Sequence, residues 1–141
     1  MALAKPDYRH QRSTSDFIPR DAGEYTEELA DIIERMTTGY WPTIGVEKGW
    51  YKLITDLNAE LRLIAHEYRI THIGNRFGEL AYYITVKKTD EDKRPEMMRI
   101  IKKYNEISKT TCQICGNSGI RSNLRVACET HAGKTARKGA K

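Results

Sequence analysis

No apolar stretch in this sequence approaches the ~20 residues that would cross a bilayer, and 30% of the chain is charged. Residues 1–15 carry polar and charged groups but no apolar run, which argues against a secretory leader and predicts a cytoplasmic protein. Cysteine is scarce as well: there are three, all at or beyond position 112. An odd, clustered set excludes a disulfide scaffold, which takes an even and dispersed one. The signatures of the commoner enzyme classes are also missing. There is no P-loop, no dinucleotide fingerprint, no nucleophile elbow and no HExxH. Histidine is limited to His10, His66, His72 and His131, which leaves little material for general acid–base catalysis.

What the sequence does contain is a pattern of metal-binding residues. Cys112 and Cys115 form a C-x2-C pair, twelve residues follow, and Cys128 and His131 form a C-x2-H pair. Zinc takes four soft or borderline donors at tetrahedral corners, and a C-x2-C turn wraps one side of such an ion. Twelve residues suffice for a small hairpin, and two ligands three apart face the same way on the first turn of a helix. The spacing therefore predicts a knuckle, a hairpin and a helix start, as in a treble-clef or ribbon-like finger. Gly116-Asn117-Ser118-Gly119 after the second cysteine is turn chemistry. A redox cysteine pair prefers a helix N-terminus. With four protein donors the site reads as closed and structural, whereas catalytic zinc keeps a position for water. Treble-clef nucleases need a further histidine near the finger, and residues 112–141 contain none besides His131.

The net charge is +5. From Cys112 onward, Arg121, Arg125, Lys134, Arg137, Lys138 and Lys141 face a single acid, Glu129. This basic end reads either as a solubilising tail or as a surface for phosphate. Tyr82 and Tyr83, near Arg69 and Arg76 on the expected sheet, add a second candidate surface for nucleic acid, where aromatics stack bases.

Ahead of this segment the hydrophobic period changes twice. Tyr25, Leu29, Ile32, Ile33 and Met36 predict a helix over Glu24–Thr38, with Glu27, Glu28, Asp31 and Glu34 on its other side and Gly39 as its stop. Trp50, Leu53, Ile54, Leu57, Leu61 and Ile64 make a narrower stripe and predict the main core helix, with His66 facing solvent. Tyr68–Ile73 and Leu80–Val86 read as two strands of a hairpin joined by residues 74–79. In the second strand Leu80, Tyr82, Ile84 and Val86 share one face. His72 falls on the face of Ile70, which predicts a hydrogen-bonded core histidine, with a functional one as the alternative. After a charged link, Met97, Ile100, Ile101, Tyr104 and Ile107 predict a third helix, with Asp92 as a candidate cap and Pro95 in its first turn.

Gly49-Trp50-x2-Leu53 opening a helix, the hairpin Arg76-Phe77-Gly78-Glu79-Leu80-Ala81-Tyr82-Tyr83 and the C-terminal cysteine–histidine motif occur in a familiar order. Over residues 46–131 the chain resembles a set of small uncharacterised proteins encoded in bacteriophages and bacterial genomes. It departs from them at Glu79, where they carry glycine, and at Ala81, where they carry arginine. The resemblance implies a context: a zinc-containing phage or mobile-element accessory protein working in the host cytoplasm.

The expected architecture is α+β, with three helices packed on a small antiparallel hairpin or sheet and a C-terminal zinc finger. Residues 1–22 would be a flexible arm or strap, 23–110 the core domain, 111–133 the finger and 134–141 a basic tail. The expected function is non-enzymatic binding of a host or phage macromolecule, protein or nucleic acid, with one structural Zn2+. A nucleic-acid binder using Arg121, Arg125 and the basic tail is the alternative, and a zinc-finger nuclease a more distant one.

Overall fold

The computed structural model describes residues 14–36, 42–122 and 125–131. Among these residues the fold is α+β, with three α-helices and two two-stranded antiparallel sheets. In chain order these are α1 (Thr26–Arg35), α2 (Tyr51–Ile64), β1 (Arg69–Arg76), β2 (Glu79–Thr85), α3 (Arg94–Ser108), β3 (Ile120–Ser122) and β4 (Arg125–Ala127). No described helix is long and apolar enough to cross a membrane. Lys134, Arg137, Lys138 and Lys141, with His10, Gly39, Tyr40 and Trp41, lie outside the described residues.

Helix α2 organises the core. Trp50, just before it, and Leu53, Ile54, Leu57 and Leu61 along it are buried against α1, α3 and the inner face of the β1–β2 hairpin. That face presents Ile70, Ile73, Leu80, Tyr82 and Ile84. Helix α1 contributes Leu29, Ile32 and Ile33, but ends one residue before Met36. Met36 is extended and bridges Ile70 in parallel, so it is buried as part of the sheet's margin and not of the helix. Gly45 makes a similar bridge to Gly74. On the other margin α3 closes the edge of β2: the Ser108 hydroxyl accepts from the Leu80 amide at 2.9 Å and Asn105 Nδ2 donates to the Leu80 carbonyl at 3.0 Å. Helix α3 follows a 3-10 turn, Lys88–Lys93, which includes Asp92. Lys93 is the N-cap and no side chain caps it, so the expected Asp92 cap is not made. Pro95 does fall within the first turn. In the first described segment, Ala22 is buried, Ile18 packs on the core and Asp21 accepts from the Tyr51 hydroxyl at 2.7 Å.

The acidic side of α1 is not simply solvated. Asn58 Nδ2 donates to Glu28 Oε2 and Asp31 Oδ2, each at 2.7 Å, and Arg62 pairs with Glu28. The Tyr68 hydroxyl donates to Asn58 Oδ1 and lies 2.6 Å from the Tyr82 hydroxyl, deep in the core. Buried Arg35 bonds Asp31 at 2.9 Å and the carbonyls of His66 and Tyr68 at 2.8 and 3.0 Å. Its guanidinium carbon also sits 4.7 Å from the Tyr68 ring centroid. These groups satisfy one another, so a polar layer crosses the interface of α1, α2 and the hairpin without leaving those donors unpaired.

The hairpin departs from the sequence expectation in two ways. Its strands run to Arg76 and from Glu79, leaving a two-residue turn, Phe77-Gly78, in place of the six-residue connection. Both turn residues have positive φ, +56° and +86°. Paired positive φ values belong to the type I′ turn, whose twist matches that of the flanking strands. Gly78 occupies its position without a steric penalty, but Phe77 pays for its left-handed backbone at about 1–2 kcal/mol. The second departure is at Thr71. Ile70 pairs with Ile84 but His72 pairs with Tyr83, so an irregularity in register falls between them. The extra residue turns His72 away from the face of Ile70. His72 is exposed and packs on Tyr83, with ring centroids 5.6 Å apart. The expected core histidine is therefore a surface one, and His66 is exposed as expected.

Candidate metal centre

The chain leaves α3 through a tight turn in which the Gly119 amide donates to the Thr110 carbonyl at 2.8 Å. Thr111 bridges Ser118, and this antiparallel contact frames the Cys112–Cys115 knuckle. Within it the Cys112 amide donates to the Asn117 carbonyl at 2.7 Å and the Gly116 amide donates to the Cys112 carbonyl at 2.9 Å. Gly116 completes the reversal at φ +86°. Strands β3 and β4 then return the chain to Cys128, with Ile120 opposite Ala127 and Arg121 opposite Val126. Residues 129–131 start a helical turn in which the His131 amide donates to the Cys128 carbonyl at 3.0 Å.

These elements bring together the four residues singled out by their spacing. The donor atoms of Cys112, Cys115, Cys128 and His131 all lie within 4.8 Å of one another. Cys115 Sγ is 3.6 Å from Cys128 Sγ, and His131 Nδ1 is 3.5 Å from Cys112 Sγ and 3.2 Å from Cys128 Sγ. Bonds of ~2.0–2.3 Å from a central ion to tetrahedral corners would place the donors ~3.3–3.8 Å apart. Those three separations fall close to that range, so the donor set fits a metal ion. Cys112 and Cys128 are buried, His131 is partly buried and Cys115 is exposed.

The electrostatics of the thiols differ. Burial raises the Cys112 thiol, but amides of Cys115, Cys128 and Ile114, with His131, outweigh it and bring the group down to about 6. The Ile114 amide lies 3.4 Å from its sulfur. For Cys115 an Asn117 amide acts downward, but burial and the neighbouring thiols of Cys128 and Cys112 leave it raised. Close packing of three sulfurs is unfavourable for three separate thiolates, and a bound cation removes that conflict.

The cluster is joined to the core through contacts that the sequence reading did not anticipate. Gln113 is buried between the knuckle and β4: its amide donates to the Val126 carbonyl at 2.9 Å and its Oε1 accepts from the Val126 amide at 2.8 Å. Its carbonyl accepts from the Gly49 amide at 2.8 Å, at the start of α2. Trp50 Nε1 donates to the Thr111 carbonyl at 2.8 Å. The approach is so close that a Cβ on Gly49 would lie 2.2 Å from the Cys112 carbonyl oxygen. Val126 inserts into the main core while Cys112, Ala127 and Cys128 form a small cluster of their own. Position within C-x2-C gave no hint that Gln113 would be buried. Gly49-Trp50 was visible as a motif, but not as a contact with the knuckle.

The two finger arginines are both held by acids of the core. Arg121 Nη1 is 3.2 Å from Glu79 Oε2, and Arg125 pairs with Glu47. They are thus partly neutralised and tie β3 and β4 to the hairpin and to the approach to α2. Neither His66 nor His72 belongs to the metal-binding cluster. No family model, curated protein or solved structure matches this chain.

Proposed function

We propose that the protein is a non-enzymatic binding protein whose C-terminal segment is a treble-clef-like finger closed by one structural zinc ion. The observation that carries this reading is the donor set: three sulfurs and one imidazole nitrogen, all from this chain, gathered within 4.8 Å of one another. Thiolate-rich, four-donor sites favour zinc and fill every position that a reacting water would need. Gln113, Gly49 and Trp50 join the finger to the core, which suits a stabilising role. The resemblance to small phage and bacterial proteins supports an accessory role in host cytoplasm, where the protein would engage a host or phage macromolecule. A zinc-finger nuclease finds less support, because His131 is spent as a ligand and the other described histidines lie outside the cluster.

Elemental analysis of freshly purified protein is expected to give one zinc per chain. Cobalt(II) substitution is expected to give the intense visible absorption of a tetrahedral, thiolate-rich site, unchanged by added anions. Absence of stoichiometric metal, or thermal unfolding unaltered by Cys128→Ser, would overturn the structural-zinc reading. A cobalt spectrum that responds to anions would reveal an exchangeable position and favour catalysis.

A further inference from the structure

The outward face of the β1–β2 hairpin carries a set of side chains that the core does not use. His72 and Tyr83 are cross-strand partners with their rings 5.6 Å apart and inclined by 35°. Between them and the turn lie Gly74 and Ala81, and the His72 ring leans over Gly74. Arg76 reaches back past these small residues so that its Nη1 donates to the Tyr83 hydroxyl at 2.8 Å. Phe77 stands at the tip with 60% of its surface exposed and Tyr83 keeps 44%. Arg69 is exposed at the far end of β1.

Stability does not account for this arrangement. Phe77 takes a left-handed backbone in a turn position that Asn or Gly occupies with less strain, yet its ring gains little burial in return. Tyr82, one residue from Tyr83, is buried and bonded to Tyr68, so the two tyrosines divide between core and surface. The face is also cationic in balance. The carboxylate of Glu79, opposite Arg76, is drawn to Arg121 at 3.2 Å and Lys109 at 3.9 Å.

We propose that this face binds single-stranded nucleic acid, with bases stacked on Tyr83–His72 and on Phe77 and phosphates held by Arg76 and Arg69. The proposal rests on the binding-protein reading above and names its partner. Aromatic rings reach the faces of bases only where those bases are unpaired, and interleaved arginines supply charge complementary to the backbone. From Arg69 to Arg76 the strand offers about 23 Å at ~3.3 Å per residue, enough to carry several nucleotides. The stacking surfaces are indifferent to base identity, so DNA and RNA share the chemistry and the two must be compared directly.

The test is fluorescence anisotropy with labelled oligothymidylate and oligouridylate of about 15 nucleotides, and a duplex of equal length, using the full zinc-loaded chain. Both single strands are expected to bind more tightly than the duplex, and the tighter of the two identifies the natural source. Tyr83→Ala and Phe77→Asn are each expected to weaken binding about tenfold. Phe77→Asn is decisive because Asn suits the turn: thermal stability should hold or rise while affinity falls, an outcome that a purely structural role for Phe77 would not give. Arg76→Ala should reduce the log–log salt slope by roughly 0.7. A zinc-loaded chain that binds no oligonucleotide at low salt overturns this proposal and leaves the binding-protein reading standing. Binding that survives both aromatic substitutions but vanishes on deletion of residues 133–141 overturns it in favour of the basic tail. Oligonucleotide binding unchanged by both Phe77→Asn and Tyr83→Ala overturns it.

Discussion

Trp50 and, on α2, Leu53, Ile54, Leu57 and Leu61 are buried in a continuous core shared with α1, α3 and the hairpin, whereas the described residues of 112–131 gather a small cluster of Cys112, Ala127 and Cys128, with Ile114 at the margin. Each fully buried aliphatic side chain of the core contributes roughly 1.5–3 kcal/mol before chain entropy is set against it. The C-terminal cluster is too small to hold its shape on that basis. Its strands are three residues each, and all three residues of β3 are exposed. The first region is specified by apolar periodicity and the second by four donor atoms, so different treatments should unfold them. The joint between them, Gly49 and Trp50 against Thr111 and Gln113, decides how far the loss of one is felt in the other.

The largest expected effect is removal of the metal. Zinc-finger peptides gain on the order of 10–16 kcal/mol from the ion at neutral pH. A strong chelator at pH 7 is therefore expected to unfold residues 112–131 completely. The core should stay folded, since among the described residues of that segment Val126 alone enters its main cluster. Heteronuclear NMR checks both parts: resonances from 112–131 should collapse to unfolded positions while those of α2 and the hairpin persist. Trp50 fluorescence should also change, because its indole donates to Thr111 at the joint. Cooperative loss of α2 with the finger would abolish the distinction between the two regions and make the ion part of the core's own stability.

An intermediate effect belongs to the joint itself. Gln113→Ala removes the acceptor for the Val126 amide inside a buried contact. A buried donor left without a partner costs ~1–3 kcal/mol. The midpoint of thermal unfolding of the finger, followed by cobalt absorption, should fall, while the core transition followed by far-ultraviolet circular dichroism should move much less. Gly49→Ala attacks the same joint from the core side, where its Cβ would meet the Cys112 and Gln113 backbone at 2.2–2.6 Å. It should lower both transitions, because neither main chain can yield as a flexible side chain would. A Gly49→Ala protein with both transitions unchanged would show that the regions are not pressed together as described.

How much of this was legible in the sequence follows the same division. The stripe of α2 and the cysteine–histidine spacing are local patterns, and each predicted the neighbours its residues have. What was not legible depends on partners far along the chain. Met36 continued the helical period of α1 but pairs with Ile70 across the sheet margin, a preference that only the hairpin's position creates. Glu28 and Asp31 read only as lying on the side of α1 away from its apolar stripe, yet Asn58 and Arg62 on α2 draw them into the interface. A single irregular residue, Thr71, reversed the direction of His72, and alternation carries no signal for such an insertion. Arg121 and Arg125 read as cations available to phosphate because Glu79 and Glu47 are 42 and 78 residues away in sequence. Of the candidate site, the donors were visible; the buried Gln113 that braces them was not.

The smallest effect expected is an acid dependence confined to the core. Burial raises the carboxyl of Asp31, but hydrogen bonds from Asn58 and Arg35 and the charges of Arg35 and Arg62 outweigh it and leave the group below its ordinary value of 3.8. A carboxyl depressed in the folded state stabilises the fold above its unfolded pKa, and that contribution is lost as pH falls through the folded one. Because the Asp31 side chain keeps 37% of its surface exposed, screening limits its contribution to ~1 kcal/mol at most. Metal release by protonation of the finger's ligands would mask so small an effect, so the measurement belongs to chelated protein, in which the core alone is folded. Urea unfolding of that protein and of Asp31→Asn should differ slightly at pH 7 and converge as pH falls below the ordinary carboxyl value of 3.8. Curves that stay equally far apart across that range would show that the carboxylate's charge is not what Asn58, Arg35 and Arg62 recognise.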